Sequence, residues 1–407
     1  MASANTFVIV GGGLAGARAA ATLREEGFDG RCVLIAEEPE RPYERPPLSK
    51  EYLRDEAPRD KAYVHDESFY AEHAIELRMS TQAVGLDARQ RTLVLLDGEQ
   101  IGYDRLLLAT GAEPRRLPVP GHELEGVEYL RTLADCDTLR ERFAAGGRAV
   151  VIGGGWIGAE VAASARQKGL DVTIVEAAEL PLLRVLGREV ATVYADLHRD
   201  HGVELITSAQ VEAIEGGARA ERVRLAGGRT LDCDFVVVGI GVAPRTQLAE
   251  AAGLHVDNGI VVTETLHASV PGVFAAGDVA NAEHPLYGRV RVEHWANALN
   301  QGPVAARNML GRNEAYERVP YFFSDQYDTG MEYSGYASAD AQVVFRGDPA
   351  SREFIAFWID EGRVAAAMNV NVWDVTDPLQ ALIRSRRTVT EAELADPDVP
   401  LADLTPA

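Results

Sequence analysis

The chain of 407 residues opens on an alternation of apolar runs and glycine-rich turns. Residues 6–10 form a short apolar run, a turn that contains Gly11, Gly13 and Gly16 follows, and an alanine-rich stretch continues to Leu23. A short apolar run bounded by glycines is typical of a buried strand, and an alanine-rich stretch is typical of a helix. The pattern predicts a strand, a tight turn and a helix.

The same succession appears a second time near residue 150. The apolar run of residues 149–152 precedes a turn that contains Gly153, Gly155 and Gly158, and a helical pattern continues to Ala165. In a G-x-G-x-x-G turn, one glycine makes the turn, one lets the backbone approach a pyrophosphate, and one brings the helix against the strand. The chain therefore contains two predicted dinucleotide-binding units.

Each unit also has an acidic residue where a ribose-binding carboxylate is expected. Glu37 follows the second apolar strand of the first unit, 21 positions after Gly16. Glu176 follows the corresponding strand of the second unit, 18 positions after Gly158. The dinucleotide-binding fold places this acid about 20 residues beyond the glycines. A lone glutamate at a strand end is usually a solvated side chain, but the surrounding glycines and strands favour ligand binding here.

Later apolar runs indicate how the chain passes between domains. Residues 105–111 and 234–241 each join an apolar strand to a glycine turn, and a further strand ends at Asp278. From about residue 321 the pattern changes to the aromatic-rich alternation of antiparallel strands. We predict an α/β protein with two Rossmann-like domains, the second inserted in the first, and a small C-terminal α+β domain. The predicted boundaries are 1–111 with 243–319, 112–242, and 320–407.

Composition and charge exclude several classes of function. No apolar run approaches the roughly 20 residues of a membrane-spanning helix, and the N-terminus is predicted to be a strand rather than a signal peptide, so we expect a cytoplasmic protein without a membrane partner. The formal net charge of −22 disfavours nucleic-acid binding. Cys32, Cys136 and Cys233 form neither a C-x-x-C pair nor a metal-ligand spacing. We predict buried thiols, no metal site, and a loosely held acidic C-terminal tail.

Seven short segments carry a more specific signal. The most specific is Arg41-Pro-Tyr-Glu-Arg-Pro-Pro-Leu-Ser-Lys50. The others are residues 11–16, 109–111, 153–160, 277–278, 293–296 and 324–326. Over nearly its whole length the chain thereby resembles the flavoprotein ferredoxin reductases of bacterial oxygenase systems, whose fold is similar to that of glutathione reductase.

The resemblance implies two cofactors, FAD and NADH, with NADH on the second glycine-containing unit. In the family pattern Arg45 contacts the FAD, Asp278 bonds its ribityl chain, and Trp295 with Ala296 lies against the isoalloxazine. The full set of cofactor-binding residues that the resemblance implies is Gly11, Gly13, Leu14, Ala15, Gly16, Glu37, Arg45, Lys50, Val84, Ala109, Thr110, Gly111, Arg131, Gly277, Asp278, Glu293, Trp295, Ala296, Phe323, Gly153, Gly155, Trp156, Ile157, Gly158, Glu160, Glu176 and Gly241.

The resemblance also implies a catalytic pair, Lys50 and Glu160, near the flavin N5. A cation there favours the negative charge of the reduced ring, while the carboxylate orients the lysine and the nicotinamide amide. The alternative for Lys50 is a solvated side chain after a proline turn. Relatives that reduce disulfides or peroxides carry reactive cysteines beside the flavin, whereas residues 47–50 read Pro-Leu-Ser-Lys here. Electrons are therefore expected to leave directly for an external acceptor, which the resemblance implies is a [2Fe–2S] ferredoxin that serves an oxygenase such as a cytochrome P450.

The electron exit and the docking surface raise two further expectations. Phe323 stands where the family commonly has a tryptophan, so it keeps a stacking face without an indole N–H. The ferredoxins of this family are generally acidic, so docking on an acidic chain would need a local basic patch. The candidate arginines, each of which alone is more simply a solvating side chain, are Arg291, Arg307, Arg312, Arg384, Arg386 and Arg387.

Two other functions remain open from the sequence. One is a redox-controlled binding flavoprotein of the apoptosis-inducing-factor type, which shares this architecture but is favoured by a basic surface and a long insertion in the third domain. The other is an enzyme that passes electrons from NADH to rubredoxin, quinone or oxygen. The preferred interpretation is an NADH:ferredoxin reductase.

Overall fold

The computed structural model describes residues 5–338 and 340–405. Contacts between residues divide the chain into two compact units. The first comprises the residues up to Glu44, Arg59–Glu113 and Ala243–Pro320; the second comprises Arg45–Pro58, Pro114–Val242 and the residues from Tyr321 onward. The three-domain division stays a prediction.

The α-helices of the described residues are mostly short. None of them is both long enough and apolar enough to cross a membrane. They are α1 (Leu14–Glu25), α2 (Phe69–Glu72), α3 (Leu133–Ala145), α4 (Trp156–Gln167), α5 (Leu183–Asp200), α6 (Gln247–Ala251), α7 (Trp295–Met309), α8 (Thr376–Ser385) and α9 (Glu391–Ala395).

The strands form parallel sheets in the nucleotide-binding segments and an antiparallel sheet near the C-terminus. They are β1 (Thr6–Val10), β2 (Arg31–Ile35), β3 (Ile75–Arg78), β4 (Ala83–Asp87), β5 (Thr92–Leu95), β6 (Gln100–Gly102), β7 (Arg105–Leu108), β8 (Ala112–Pro114), β9 (Val127–Glu128), β10 (Arg148–Ile152), β11 (Asp171–Val175), β12 (Glu204–Ile206), β13 (Val211–Glu215), β14 (Arg222–Leu225), β15 (Thr230–Asp232), β16 (Phe235–Val238), β17 (Val242–Pro244), β18 (Ile260–Val262), β19 (Val273–Ala275), β20 (Ala280–His284), β21 (Gly288–Arg291), β22 (Tyr321–Gln326), β23 (Thr329–Gly335), β24 (Gln342–Asp348), β25 (Glu353–Asp360) and β26 (Arg363–Val370).

A five-stranded parallel sheet in the order β19-β7-β1-β2-β3 forms the core of the first unit. Strand β1 pairs with both β2 and β7, so it is central and its side chains are almost all buried. Helix α1 packs closely against α7, where a Cβ on Gly302 would lie 2.3 Å from the carbonyl oxygen of Ala15. The strand, turn and helix predicted at the N-terminus are confirmed. Two small sheets, β4-β5-β6 and β18-β20-β21, complete this unit.

The second unit contains its own five-stranded parallel sheet, in the order β12-β11-β10-β16-β9. Strand β10 is central and buried, and α4 follows it directly after the second glycine turn. A small antiparallel sheet, β13-β14-β15, adds apolar residues to the core beside the parallel strands. The second predicted strand, turn and helix is therefore also confirmed.

An antiparallel sheet in the order β22-β23-β26-β25-β24 belongs to the same second unit. Its core contains Trp358, which is fully buried and donates its indole N–H to the carbonyl oxygen of Leu186 on α5, at 3.1 Å. Helix α5 is kinked at Gly187, whose φ of 74° lies outside the helical region. The aromatic-rich alternation after residue 321 was correctly predicted to be antiparallel strands.

The expectation of a loosely held C-terminal tail was wrong for the residues described, which end at 405. Arg346, a buried arginine of β24, donates to the carbonyl oxygens of Asp396 and Val399. Leu404 is buried, and its carbonyl oxygen accepts from Arg387 at 2.9 Å. Acidic composition gave no sign of these contacts, because the carbonyl oxygens that the arginines bind belong to the backbone.

Candidate active site

Several strands of the first unit end beside one another at the carboxyl edge of the parallel sheet. Gly11 follows β1, Glu37 lies just beyond β2, Ala109 follows β7, and Gly277 lies just beyond β19. Backbone hydrogen bonds join these ends, including one of 2.9 Å from Gly11 N to Ile35 O. Open α/β sheets bind ligands at this edge. The fold therefore brings most of the predicted residues of this unit to one place.

The first glycine turn has the shape of a phosphate cradle. Gly11 has a φ of +128°, and a Cβ there would lie 2.0 Å from the carbonyl oxygen of Ala109. A Cβ on Gly16 would lie 2.1 Å from the carbonyl oxygen of Gly11. By contrast, a Cβ on Gly13 meets no atom of the described residues within 4 Å, so this residue borders open space at the N-terminus of α1. A helix N-terminus with backbone exposed in this way suits a pyrophosphate.

The second glycine turn repeats this geometry. A Cβ on Gly153 would lie 2.4 Å from the carbonyl oxygen of Gly239, and one on Gly158 would lie 2.0 Å from that of Gly153. A Cβ on Gly155, before α4, likewise meets no atom within 4 Å in the part of the chain that the structure describes. The outer glycines are thus needed for packing, while the middle glycine of each turn faces open space.

The two predicted ribose-binding glutamates are held in different ways. Glu176 accepts backbone N–H groups on both carboxylate oxygens, from Gly154 at 2.6 Å and from Ala178 at 2.7 Å. Glu37 forms an ion pair of 2.6 Å with Arg245, on a more exposed side chain. Arg245 was not predicted, and nothing in the local sequence around Glu37 indicates it because it lies far along the chain.

The remaining predicted residues of the first unit lie close to the same strand ends or on α1, α7 and β4. Thr110 donates its hydroxyl to the carbonyl oxygen of Arg245 at 2.7 Å, which fixes the turn after β7. Val84 on β4 is 48% exposed. The others and their elements are Leu14 and Ala15 on α1, Gly111 after β7, Asp278 after β19, and Glu293, Trp295 and Ala296 at the start of α7.

Glu44 is a further residue of this unit that sequence reasoning did not single out. Its carboxylate accepts the indole N–H of Trp295 at 3.1 Å. Burial raises the pKa of Glu44, and the hydrogen bond from Trp295 opposes that effect. Glu44 lies within the most specific sequence segment, so that segment was the available signal. The pair fixes the orientation of the indole ring.

The predicted residues of the second unit occupy three places. Arg45 donates to the carbonyl oxygen of Arg131, which lies just before α3. Trp156 and Ile157 begin α4, and Gly241 follows β16. Phe323 lies on β22, where its ring faces the Lys50 Nζ.

Lys50 and Glu160 form a buried ion pair. Their residues are only 5% and 4% exposed, and the Lys50 Nζ lies 2.7 Å from Glu160 Oε2. The same oxygen accepts the hydroxyl of Ser49 at 2.5 Å, and Oε1 accepts that of Ser324 at 2.7 Å. The alternative of a solvated Lys50 is therefore wrong. Neither serine was predicted to contact this carboxylate, although both lie in the matching segments.

An aromatic ring and a second carboxylate lie beside this pair. The Lys50 Nζ stands 5.4 Å from the centre of the Phe323 ring, within the range of a cation–π contact. Asp325, an exposed residue two positions further along β22, has a raised pKa because partial desolvation of its carboxyl outweighs the opposing charge of Lys50. The surroundings of Lys50 thus combine a buried cation, two carboxylates and a ring face.

The thiols of the chain are unsuited to redox chemistry. Cys32, Cys136 and Cys233 are all free and buried. Burial raises the pKa of Cys32 to about 11, of Cys136 to about 12 and of Cys233 to about 11. Because the thiolate is the reactive form, these side chains remain inert at neutral pH. The prediction of buried thiols is confirmed.

The sequence was compared with protein families and with known proteins. Residues 5–302 match the family described as pyridine nucleotide-disulphide oxidoreductase, and residues 321–405 match the one described as reductase C-terminal. Rhodocoxin reductase of Rhodococcus erythropolis is 39% identical over 401 residues, covering 97% of this chain and 93% of the relative. The ferredoxin–NAD(+) reductase component of the anthranilate 1,2-dioxygenase system of Burkholderia cepacia is 39% identical, covering 98% and 99%.

A solved structure is also similar to this chain. The reductase in the covalent putidaredoxin reductase–putidaredoxin complex aligns with a TM-score of 0.95 at 37% identity, covering 99% of this chain and 98% of that one. The chain belongs to the ferredoxin reductase family of pyridine nucleotide-disulphide oxidoreductases. The resemblance to these ferredoxin reductases and the predicted fold class are confirmed. As a member of the family, the chain is an NADH-dependent flavin oxidoreductase that uses FAD and NAD(H).

The described residues fit these two dinucleotides. Each parallel sheet carries one glycine turn whose middle residue borders open space, and each has one carboxylate just beyond the neighbouring strand. A pyrophosphate and an adenosine ribose need these two features together. The chain thus has one suitable site for each of the two cofactors of the family.

Proposed function

We propose that this protein is an NADH:ferredoxin reductase, which works in the cytoplasm and delivers electrons to a [2Fe–2S] ferredoxin that serves an oxygenase such as a cytochrome P450. The observation that carries the proposal is the buried Lys50–Glu160 pair in a chain whose thiols are all inert. Without a reactive cysteine, electrons have no internal disulfide to reach. The relatives named for oxygenase systems and for a complex with putidaredoxin support an iron–sulfur acceptor.

The predicted domains have separate tasks in this proposal. Residues 1–111 with 243–319 would hold FAD at the first glycine turn, residues 112–242 would hold NADH at the second, and residues 320–407 would supply β22 beside Lys50. When bound, FAD would supply the chemistry that joins a two-electron hydride donor to a one-electron acceptor. In this proposal the chain's own residues bind the two dinucleotides, orient them and shield them from water.

Lys50 and Glu160 perform the orienting task. Lys50 places a positive charge where negative charge develops, and its burial keeps that charge strong because little water screens it. Glu160 anchors the Lys50 Nζ and is itself fixed by Ser49 and Ser324. The carboxylate is therefore aligned before substrate binds, and it is also the acceptor that we propose for the nicotinamide amide.

A direct experiment ranks the possible acceptors. The enzyme is reduced with NADH under anaerobic conditions and mixed rapidly with [2Fe–2S] ferredoxins, rubredoxin, a soluble quinone or oxygen, while the flavin absorbance is followed. We expect the fastest reoxidation with a [2Fe–2S] ferredoxin. If quinone or oxygen reoxidises the flavin faster than every iron–sulfur protein, the proposed function is wrong.

Nucleotide choice should depend on Glu176. Its anchored carboxylate is placed to accept from the adenosine 2′-hydroxyl and to repel a 2′-phosphate, so NADH should be strongly preferred to NADPH. Glu176→Gln should reduce the ratio of kcat/KM for NADH over NADPH by about tenfold, the effect of ~1.4 kcal/mol. Glu204→Gln, on the neighbouring strand β12, is the control. Equal kcat/KM values for the two nucleotides in the wild type would contradict the assignment.

The structure reduces the number of arginines that could form a docking patch for the ferredoxin. The side chain of Arg291 is 9% exposed, so it does not present its charge to a partner. Arg307, Arg312 and Arg387 form ion pairs with Glu314, Glu26 and Glu393, respectively. Arg384 and Arg386, at the C-terminal end of α8, are exposed and remain candidates.

Salt and charge removal test whether these two arginines receive the ferredoxin. Ferredoxin reduction should slow as the Debye length falls below about 10 Å, whereas NADH-to-ferricyanide turnover should change much less. Arg384→Ala with Arg386→Ala should raise the KM for ferredoxin and remove most of this salt dependence, with Arg188→Ala, an exposed arginine on α5, as the control. A rate that climbs steadily with salt would mean that repulsion dominates and that no such patch operates.

A further inference from the structure

A row of buried polar side chains extends from Glu160 into an apolar core of the second unit. Ser324 and Gln326 on β22 are each 1% exposed, and His198 on α5 is 0% exposed. Phe322 on β22 and Leu197 on α5 belong to the apolar cluster around them. Polar side chains in such a core destabilise the fold unless they are hydrogen-bonded. The row therefore needs an explanation in terms of its partners.

The hydrogen atom of Ser324 decides the direction of the first links. Glu160, as the anion of its ion pair with Lys50, can only accept, so the Ser324 hydroxyl donates to Oε1 at 2.7 Å. The Ser324 Oγ must then act as the acceptor for its other contact, which is Gln326 Nε2 at 3.2 Å. This assignment turns the amide oxygen of Gln326 away from Ser324.

His198 provides the complementary group for that amide oxygen. Within residues 5–338 and 340–405, the buried atoms Gln326 Oε1 and His198 Nε2 each lack a hydrogen-bond partner at standard distance and angle, although the two side chains are close enough for Gln326 to raise the pKa of His198. Burial lowers the pKa of His198 to about 4, and a hydrogen bond with Gln326 opposes that effect, so the ring is neutral near pH 7. A neutral ring has one N–H, and Gln326 Oε1 requires it on Nε2.

Tyr327 is the last residue of the row and lies on the other side of the His198 ring. Its hydroxyl lies 3.1 Å from His198 Nδ1, which must accept because Nε2 carries the hydrogen. The Tyr327 ring stacks on His201 at 3.8 Å between centres, and His201 stands 4.0 Å from Asp328 near the surface. Every donor from Tyr327 to Ser324 thus points towards Glu160.

We propose that Tyr327, His198, Gln326 and Ser324 form a one-directional hydrogen-bond chain that positions Glu160, with His198 held in its Nε2–H tautomer by the charge of that carboxylate. The proposal rests on the proposed function only where it concerns the reaction rate. Hydrogen bonds in series polarise one another, so a change of charge at Glu160 is felt at His198. His198 is a positioning residue, which acts on Lys50 and its surroundings through three other side chains.

The tautomer of His198 tests the proposed hydrogen-bond chain without a measurement of enzyme activity. Long-range ¹H–¹⁵N spectra of the oxidised holoenzyme, labelled at histidine and assigned with His198→Phe, should show hydrogen on Nε2. In Glu160→Gln the new amide can donate to Ser324, so the chain can reverse and His198 should gain an Nδ1–H population. His284, a buried histidine of the first unit that lies 3.0 Å from Arg318 O, is the internal control and should not change. A His198 signal that is Nδ1–H in the wild type, or unchanged in Glu160→Gln, would overturn the proposal.

Interrupting the hydrogen-bond chain at Gln326 tests whether this chain affects the reaction rate. Gln326→Leu should slow single-turnover flavin reduction by NADH roughly fivefold to tenfold with flavin content unchanged, the effect of about one hydrogen bond. Ser324→Ala with Gln326→Leu should be no slower than Ser324→Ala alone, because the two residues act in one series. Gln380→Leu is the matched control, since Gln380 makes a hydrogen bond of the same 3.2 Å length to Ser334 on the antiparallel sheet.

The two tests separate the inference from the proposed function. If NADH reduces the wild-type flavin and Gln326→Leu reacts at the same rate, the positioning role is wrong. If NADH fails to reduce the wild-type flavin, the proposed function is wrong. The effect of Glu160→Gln on the His198 tautomer still decides whether the hydrogen-bond chain exists.

Discussion

Replacing Lys50 by methionine will slow the reduction of bound FAD by NADH on the order of 10²–10³-fold, the usual effect of removing one preorganised charge or donor from an active site. The cation is buried and held 2.7 Å from Glu160, so the substitution removes a fixed charge. Stopped-flow measurement of flavin bleaching at saturating NADH gives the rate constant. An unchanged rate would leave Lys50 as a structural partner of Glu160.

Two further variants separate chemistry from folding in this experiment. Lys50→Met alone leaves an uncompensated buried carboxylate, which costs about 3–5 kcal/mol of stability. Adding Glu160→Gln removes that charge, so the double variant should recover most of the stability without recovering the rate. Lys168→Met, which removes a partly exposed lysine paired with Asp55, should change neither quantity appreciably.

Gly11→Ala will prevent the first unit from folding. The alanine would have to adopt a φ of +128° and would place its Cβ 2.0 Å from the carbonyl oxygen of Ala109, which is backbone and cannot rotate away. We expect a loss of more than ~4 kcal/mol, which exceeds what most single substitutions cost. Soluble expression, circular dichroism and thermal unfolding measure the result. A soluble variant with normal unfolding would contradict the geometry of the turn.

Gly13 and Gly155, the middle glycines of the two turns, provide the matched comparison for Gly11→Ala. Gly13 has an extended backbone with φ of −88°, and a Cβ there meets no atom within 4 Å among residues 5–338 and 340–405. Gly13→Ala should therefore fold but lose FAD, because the new methyl group occupies the approach of the pyrophosphate. Gly155→Ala should fold, retain FAD and show a raised KM for NADH. Flavin content and steady-state kinetics distinguish the two. Retention of FAD in Gly13→Ala would place the phosphates elsewhere.

Local sequence patterns were sufficient for the two nucleotide-binding units. The glycines at 11 and 153, the apolar runs before them and the acids at 37 and 176 lie within short stretches, so the chemistry of each turn can be understood from neighbouring residues. The Lys50–Glu160 pair was available only from the resemblance to the family, because the two residues are far apart in the chain. Their roles in catalysis stay predictions.

Contacts that depend on tertiary structure could not be predicted from these patterns. Ser324 was part of a matching segment, but nothing in a period-two strand pattern says which polar residue turns inward to a carboxylate. Gln326 and His198 meet across a strand and a helix, and neither is unusual in its own element. Residues 45–58 belong by contact to the second unit although their neighbours on both sides belong to the first. Such groupings arise from packing, which composition does not reveal.

The parallel pairing of β19 with β7 also has a consequence for synthesis of the chain. The ribosome completes β7 at Leu108, but its edge partner β19 begins only at Val273, after the whole second glycine-containing segment. At 5–20 residues per second this interval lasts on the order of 10–30 s. During that time the fully buried side chains of Leu106 and Leu107 lie on a strand with an open edge. We therefore expect the nascent protein to bind chaperones that recognise unpaired apolar strands, and we expect faster translation of residues 109–275 to shorten its exposure to aggregation.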